Sequence, residues 1–126
     1  MKNKFIIIST CYNKGKWVQN LINSLKSQSN QNFKAYFGYD KSTDNTLDYL
    51  VNAIGDDKNQ YKIIHNKGEK CFLGNFVYVY KYLKDNNLVN KEDIIIEIDG
   101  DDWLLDCFVL DKISKEYNNP NTFMTY

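Results

Sequence analysis

Ile94-Ile95-Ile96-Glu97-Ile98-Asp99-Gly100-Asp101-Asp102 decides how this chain is read, with Trp103-Leu104-Leu105 following it. An apolar-rich run of this length suits a strand buried in a sheet. Three carboxylates at its end repel one another and need something positive beside them. A hard divalent cation, Mg²⁺ or Mn²⁺, fits the requirement. Carboxylate oxygens suit such an ion, and phosphate oxygens can complete its shell. The competing explanation is a loop of solvated acids capping the next helix. These residues alone do not separate the two.

Working outward, the pattern of apolar strand and polar loop recurs. Phe5-Ile6-Ile7-Ile8-Ser9 predicts a strand buried on both faces, followed by a polar loop from Thr10 to Gly15. Trp17, Val18, Leu21, Ile22 and Leu25 then recur at helical spacing. Phe33 to Tyr39 predicts a second strand. Lys41-Ser42-Thr43 leads into a helix carrying Leu47, Leu50, Val51 and Ile54. Ser42 or Thr43 is the expected N-cap, Asp44 suits the first turn, and Gly55 ends the helix. Tyr61 to Ile64 predicts a third strand, and the loop from Asn66 to Leu73 precedes a helix with Phe76, Val79 or Tyr80, and Leu83. Asp93 to Ile98 is the fourth strand. A helix from Asp106 to Tyr117 carries Val109, Leu110 and Ile113, with Cys107 a small buried hydrophobe on its apolar face. Thr122 to Tyr126 reads as the start of a fifth strand.

Alternating apolar strands and helices predict an α/β fold, a three-layer sandwich around a mainly parallel sheet. Right-handed crossovers bring the C-terminal strand ends to one edge, where open α/β sheets bind ligands. Thr10 to Lys14, Asp40 to Asp44 and Asp99 to Asp102 each follow a strand, so they are expected to converge on one rim.

The composition narrows the function classes. The chain has 126 residues, one domain's worth, and 43% of them are hydrophobic. Its basic residues are all lysines, 16 of them against 16 acids, and the net charge is zero. No global field favours nucleic acid or an acidic membrane. No run approaches the length of a transmembrane segment, and the first residues lack the pattern of a signal peptide, so a cytoplasmic protein is expected. Cys11, Cys71 and Cys107 are odd in number and far apart, and His65 stands alone, which argues against zinc and against a disulfide scaffold.

No phosphate-cradling glycine loop is present. The Walker A pattern is missing, and the loop after the first strand, Thr10-Cys11-Tyr12-Asn13-Lys14-Gly15, lacks the dinucleotide fingerprint. A cation at the acidic tetrad would therefore have to neutralise any diphosphate. Tyr12 is able to stack on a nucleobase, Thr10 and Asn13 offer hydrogen bonds, and Asp40 is placed to accept from a uracil ring or a ribose hydroxyl. Taken singly, surface packing or helix capping explains each of these residues as well.

With these residues assembled, the chain resembles the N-terminal half of family 2 glycosyltransferases, which have the GT-A, Rossmann-like fold. Ser9-Thr10-Cys11-Tyr12-Asn13 is like the family's T-x-Y-N after the first strand. Ser24-Leu25-Lys26-Ser27-Gln28 is like S-L-x-x-Q, and Tyr39-Asp40-Lys41-Ser42-Thr43-Asp44-Asn45-Thr46 is like D-D-G-S-T-D-N-T. Ile98-Asp99-Gly100-Asp101-Asp102 is like L-D-A-D-D, and Asn66-Lys67-Gly68 with Asn75 is similar to N-x-G followed by R-N.

The resemblance implies a nucleotide-sugar donor, usually UDP-linked, a Mn²⁺ or Mg²⁺ ion, and transfer with inversion to an unknown acceptor. It implies a donor site of Thr10, Tyr12, Asn13, Asp40, Asn75, Asp99 and Gly100, with Asp101 the leading metal ligand and Asp102 and Asp99 beside it. The family's arginine before Asn75 is replaced by Gly74, so Lys67 or Lys70 is expected to serve as the cation near the diphosphate.

The family's acceptor site and catalytic base lie beyond the acidic motif, and the sequence ends 24 residues after Asp102. The expectation is a single donor-binding domain over residues 1–126, without the acceptor half and its base. A sheet edge near the fourth or fifth strand invites a second chain, and a homodimer is the hypothesis it carries. A non-catalytic nucleotide-sugar binding module is the alternative function. A phosphoryl-transfer domain fits poorly, because His65-Asn66 stands where a receiver needs its aspartate. Ten tyrosines also leave room for an adhesive surface.

Overall fold

A computed structural model describes residues 3–125. Four strands form one parallel sheet: β1 (Phe5–Cys11), β2 (Phe33–Tyr39), β3 (Tyr61–His65) and β4 (Ile94–Glu97). Their order is β3-β2-β1-β4. Four helices connect or follow them: α1 (Trp17–Lys26), α2 (Thr46–Ile54), α3 (Phe72–Asp85) and α4 (Val109–Glu116). This is the expected α/β architecture.

Strand alternation sorts the core into two layers. Phe5, Ile7, Phe33, Ala35 and Phe37 pack with Val18, Leu21, Ile22 and Leu25 of α1, Leu50 and Ile54 of α2, and Leu110 of α4. Ile6, Ile8 and Tyr36 point the other way, onto Val79 and Leu83 of α3. Both faces of the sheet are thus covered, which explains why β1 reads as an unbroken apolar run. Each fully buried aliphatic side chain contributes roughly 1.5–3 kcal/mol.

Register places the chemistry. Phe5 pairs with Phe33 and with Ile94, and Cys11 pairs with Tyr39. All four strands run the same way, so the segments after Cys11, Tyr39, His65 and Glu97 emerge at one edge. Backbone bonds continue the ladder past the strand ends: Asp40 N–H to the Cys11 carbonyl (3.0 Å), Asn66 N–H to Tyr39 (2.9 Å) and Gly100 N–H to Thr10 (3.2 Å).

Several local expectations are corrected. Neither Ser42 nor Thr43 caps α2. The N-cap is Asn45, without a side-chain bond, and Asp44 Oδ1 instead accepts from the backbone and hydroxyl of Thr46. Ser42 Oγ is taken up by the rim, donating to the Asp40 carbonyl and accepting from Asn13 N–H. Gly55 does end α2, at φ 61°.

The loop before α3 is shorter than predicted, because Cys71 is the N-cap and its Sγ accepts from Gly74 N–H. Cys107 lies in the turn ahead of α4, half-buried, with its carbonyl accepting from Ser29 N–H and Oγ. Residues 122–125 form no strand, since they pair with none of the described strands, and Tyr126 lies outside the described residues. No helix among the described residues is long and apolar enough to cross a membrane.

Candidate functional site

The rim encloses a cavity of about 610 Å³. The end of β1 contributes Thr10 and Cys11 and the loop after it Tyr12 and Lys14; the loop after β2 contributes Asp40, Lys41, Ser42 and Thr43. Lys70 and the N-cap Cys71 come from the loop before α3, Phe72 and Asn75 from its first turn, and Asp99 from the loop after β4. Tyr12 is half-exposed and lines the cavity.

Asp40 is the buried acid of the site, 4% exposed. Asn66 Nδ2 donates to its Oδ1 and also to the Glu69 carbonyl (2.9 Å), while Asn66 Oδ1 accepts from Gly68 N–H (2.9 Å). All of these bonds stay within the protein, so Asn66 holds Asp40 in place. The second carboxylate oxygen of Asp40 accepts no hydrogen bond from the described residues, which leaves an acceptor for a ligand N–H or O–H.

Asn75 is 1% exposed and donates to the Gly38 carbonyl (2.8 Å), while its Oδ1 has no partner. A Cβ at Gly38 would lie 2.3 Å from that oxygen, so only glycine lets β2 and α3 approach this closely. Asn75 lines the cavity, but its Oδ1 has almost no exposed surface and is packed against Gly38.

At the opposite side of the rim the acidic loop folds back on β1. Thr10 Oγ1 donates to Asp99 Oδ1 (3.4 Å), and Asp102 N–H closes a turn on the Asp99 carbonyl (3.0 Å). Gly100 presses against β1: a Cβ there would meet Cys11 Sγ at 2.9 Å and Lys14 Cγ at 3.0 Å. Trp103, next in the chain, stacks on Trp17 with centroids 6.2 Å apart, anchoring the loop to α1.

Asp99, Asp101 and Asp102 each offer an oxygen, all within 4.8 Å of one another. A set of three hard oxygens fits Mg²⁺ or Mn²⁺ and leaves room for further oxygen ligands. Lys14 Nζ approaches Asp101 Oδ1 at 3.3 Å. Partial burial, together with the charges of Asp99 and Asp102, raises the Glu97 carboxyl above its ordinary range.

Of the residues singled out from sequence, Thr10, Tyr12, Asp40, Lys70, Asn75 and Asp99 line the cavity together. Asn13, Lys67 and Gly100 do not. Asn13 is spent on tying the β1 and β2 loops together, its Oδ1 accepting from Thr43 N–H (2.8 Å). Gly100 serves as a spacer, and Asp101 and Asp102 sit beside the cavity with Asp99. Sequence reasoning passed over Lys14, Asn66 and Cys71 as site residues. For Lys14 a signal existed: it closes the polar cluster that was expected to face the acids.

The sequence model for glycosyl transferase family 2 matches residues 6–122. Among curated proteins no sequence matches the chain. Among solved structures, S. aureus TarS is similar at a TM-score of 0.68 and 24% identity over 91% of this chain and 19% of the TarS chain. The structure of TarS residues 1–349 gives a TM-score of 0.69 at 24% identity, covering 32% of that chain. The same TarS segment in complex with UDP-GlcNAc gives 0.69 at 22% identity, covering 31%. The chain therefore spans about a fifth to a third of the TarS chains it resembles, and the likeness establishes the shared fold.

Proposed function

The chain belongs to glycosyl transferase family 2, and from that premise we propose that residues 1–126 are the donor-binding domain of a metal-dependent, inverting glycosyltransferase that uses a UDP-sugar. The observation carrying this reading is the cavity itself, which joins Tyr12, Asp40 and Asn75 to Asp99 of the acidic loop without any glycine-rich phosphate loop. Tyr12 stacks on the uracil ring. The free oxygen of Asp40 accepts from the ring N–H or a ribose hydroxyl. Asn75 ties the start of α3 to the end of β2 through the Gly38 carbonyl, and Lys70 faces the anionic end. That TarS 1–349 was solved with UDP-GlcNAc supports a uridine donor.

Asp101, Asp102 and Asp99 would hold Mn²⁺ or Mg²⁺. Such an ion supplies Lewis-acid neutralisation of a departing diphosphate. The residues of the chain bind and orient the donor. An inverting transfer also needs a carboxylate that takes the proton from the acceptor hydroxyl. We propose that this base and the acceptor site lie in a part of the protein outside these residues. Three free thiols suit the reducing cytoplasm, where we place the domain. The edge strand β4 is the surface through which a second copy of the chain would pair.

Calorimetry of UDP with and without MnCl₂ tests the reading. Asp101→Ala is expected to remove the Mn²⁺-dependent part of UDP binding while leaving the melting temperature within a few degrees. Unchanged Mn²⁺ dependence in that variant contradicts the metal assignment. Equal UDP binding in a full-length protein that transfers no sugar would favour a binding module instead.

A further inference from the structure

We infer that Lys14 is a ligand of the donor's diphosphate, held on Asp101 until cation and nucleotide arrive; the inference rests on the nucleotide-sugar reading above. Three lysines line the cavity: Lys14, Lys41 and Lys70. Lys14 alone among them forms an ion pair among the described residues, with Asp101 at 3.3 Å. It enters from the β1 side, where the acidic loop folds back. Lys41 and Lys70 enter from the loops after β2 and β3.

The local structure fixes the base of this side chain, while its tip is held only by the Asp101 pair. On one side Asn13 N–H donates to Ser42 Oγ (3.1 Å); on the other Gly15 N–H donates to Thr46 Oγ1 (2.9 Å). The stem lies over Gly100, its Cγ within 3.0 Å of where a Cβ would stand. Beyond that contact the ammonium carries three donors on rotatable bonds. Its pairing with Asp101 is partly solvated, the two side chains being 25% and 47% exposed, and such pairs are weak.

Charge then dictates the exchange. Asp99, Asp101 and Asp102 bring three negative charges into a small space, and Lys14 offsets one of them. A divalent cation on the same oxygens competes with the ammonium for Asp101 and repels it. The displaced ammonium, tethered at the cavity wall, needs another anion. The diphosphate bound to that cation is within the same cavity and supplies it. Cation and nucleotide binding are therefore coupled through Lys14, and the coupling acts in both directions.

The test compares the full chain with Lys14→Gln, which keeps the stem and removes the charge. With MnCl₂ alone, the variant is expected to bind Mn²⁺ about threefold or more tightly, because a competing cation has gone. With saturating Mn²⁺, its UDP affinity is expected to fall about tenfold while its uridine affinity stays unchanged. Lys14→Arg should retain most of the UDP affinity. A structural role would instead weaken Mn²⁺, UDP and uridine together. That outcome, or a variant matching the wild type for both ligands, overturns the inference alone. A wild-type chain that binds UDP nowhere overturns the nucleotide-sugar reading and this inference with it.

Discussion

Asn66 donates its side-chain amide to the buried carboxylate of Asp40, joining the loop after β3 to the end of β2. One oxygen of the acid is thereby occupied and the other is left for a ligand. Removing the clamp lets the carboxylate rotate or recruit water. We expect Asn66→Ala to weaken uridine binding about three- to tenfold, and Asp40→Asn to weaken it further, since the acceptor itself becomes ambiguous. Isothermal titration with uridine measures both. Equal loss in both variants fits the clamp least, and no loss in either would remove Asp40 from the base site.

Cys71 is exposed at the mouth of the cavity, while Cys11 is buried in its floor. Iodoacetamide is therefore expected to label Cys71 first and Cys11 last. Bound UDP with Mn²⁺ should slow labelling of Cys71 severalfold, and the alkylated protein should lose most of its UDP affinity. Peptide mass spectrometry reads the order of modification. Labelling of Cys71 that ignores UDP would place the nucleotide elsewhere.

Burial pushes the Cys11 thiol up to about 12 from its ordinary 9.0, with the Ser9 hydroxyl and Lys14 opposing the shift. The unfolded chain releases this proton near 9.0 and the folded chain holds it, so in that window the unfolded state binds fewer protons. Stability is then full below pH 9 and falls as pH rises towards 12, by on the order of 1 kcal/mol per pH unit. Burial also raises Tyr36 and Tyr61 above 10.0, and they add to the decline at higher pH. Urea melts between pH 8 and 10 should show a slope that Cys11→Ala flattens. An equal slope in the variant assigns the decline to other groups.

Much of this fold is legible from period alone. β2 matches its predicted bounds of Phe33 to Tyr39, because polar residues, Gln31-Asn32 before it and Asp40-Lys41 after it, flank a largely apolar run that is buried on both faces. α1 was visible because Val18, Leu21, Ile22 and Leu25 form one stripe, and all four are buried. The ends of elements were less legible, since hydrogen bonds across the rim decide them. Ser42 looks like a helix cap, yet its hydroxyl is committed to Asp40 and Asn13. Cys71 carries no capping signal in the sequence, because sulfur is an unusual acceptor there. Thr122 to Thr125 has strand-like composition without a neighbouring strand to pair with among the described residues.

The site was legible in outline for the same reason the sheet was. Parallel strands deliver their following loops to one edge, so Thr10, Asp40 and Asp99 had to meet. Side-chain partners were not legible. Lys14 reaching Asp101 and Asn66 reaching Asp40 depend on rotamers and on the close approach at Gly100. Of the two lysines expected near the diphosphate, Lys67 falls outside the cavity, while Lys70, three residues on, lines it.

The most direct test of the central claim is a ¹⁵N-resolved NMR titration of the chain with UDP and Mg²⁺. Saturable shifts are predicted at Tyr12, Asp40, Lys70, Cys71 and Asp99, with little change along α4. A titration that leaves those amides in place, or moves a cluster away from the C-terminal edge of the sheet, contradicts the account.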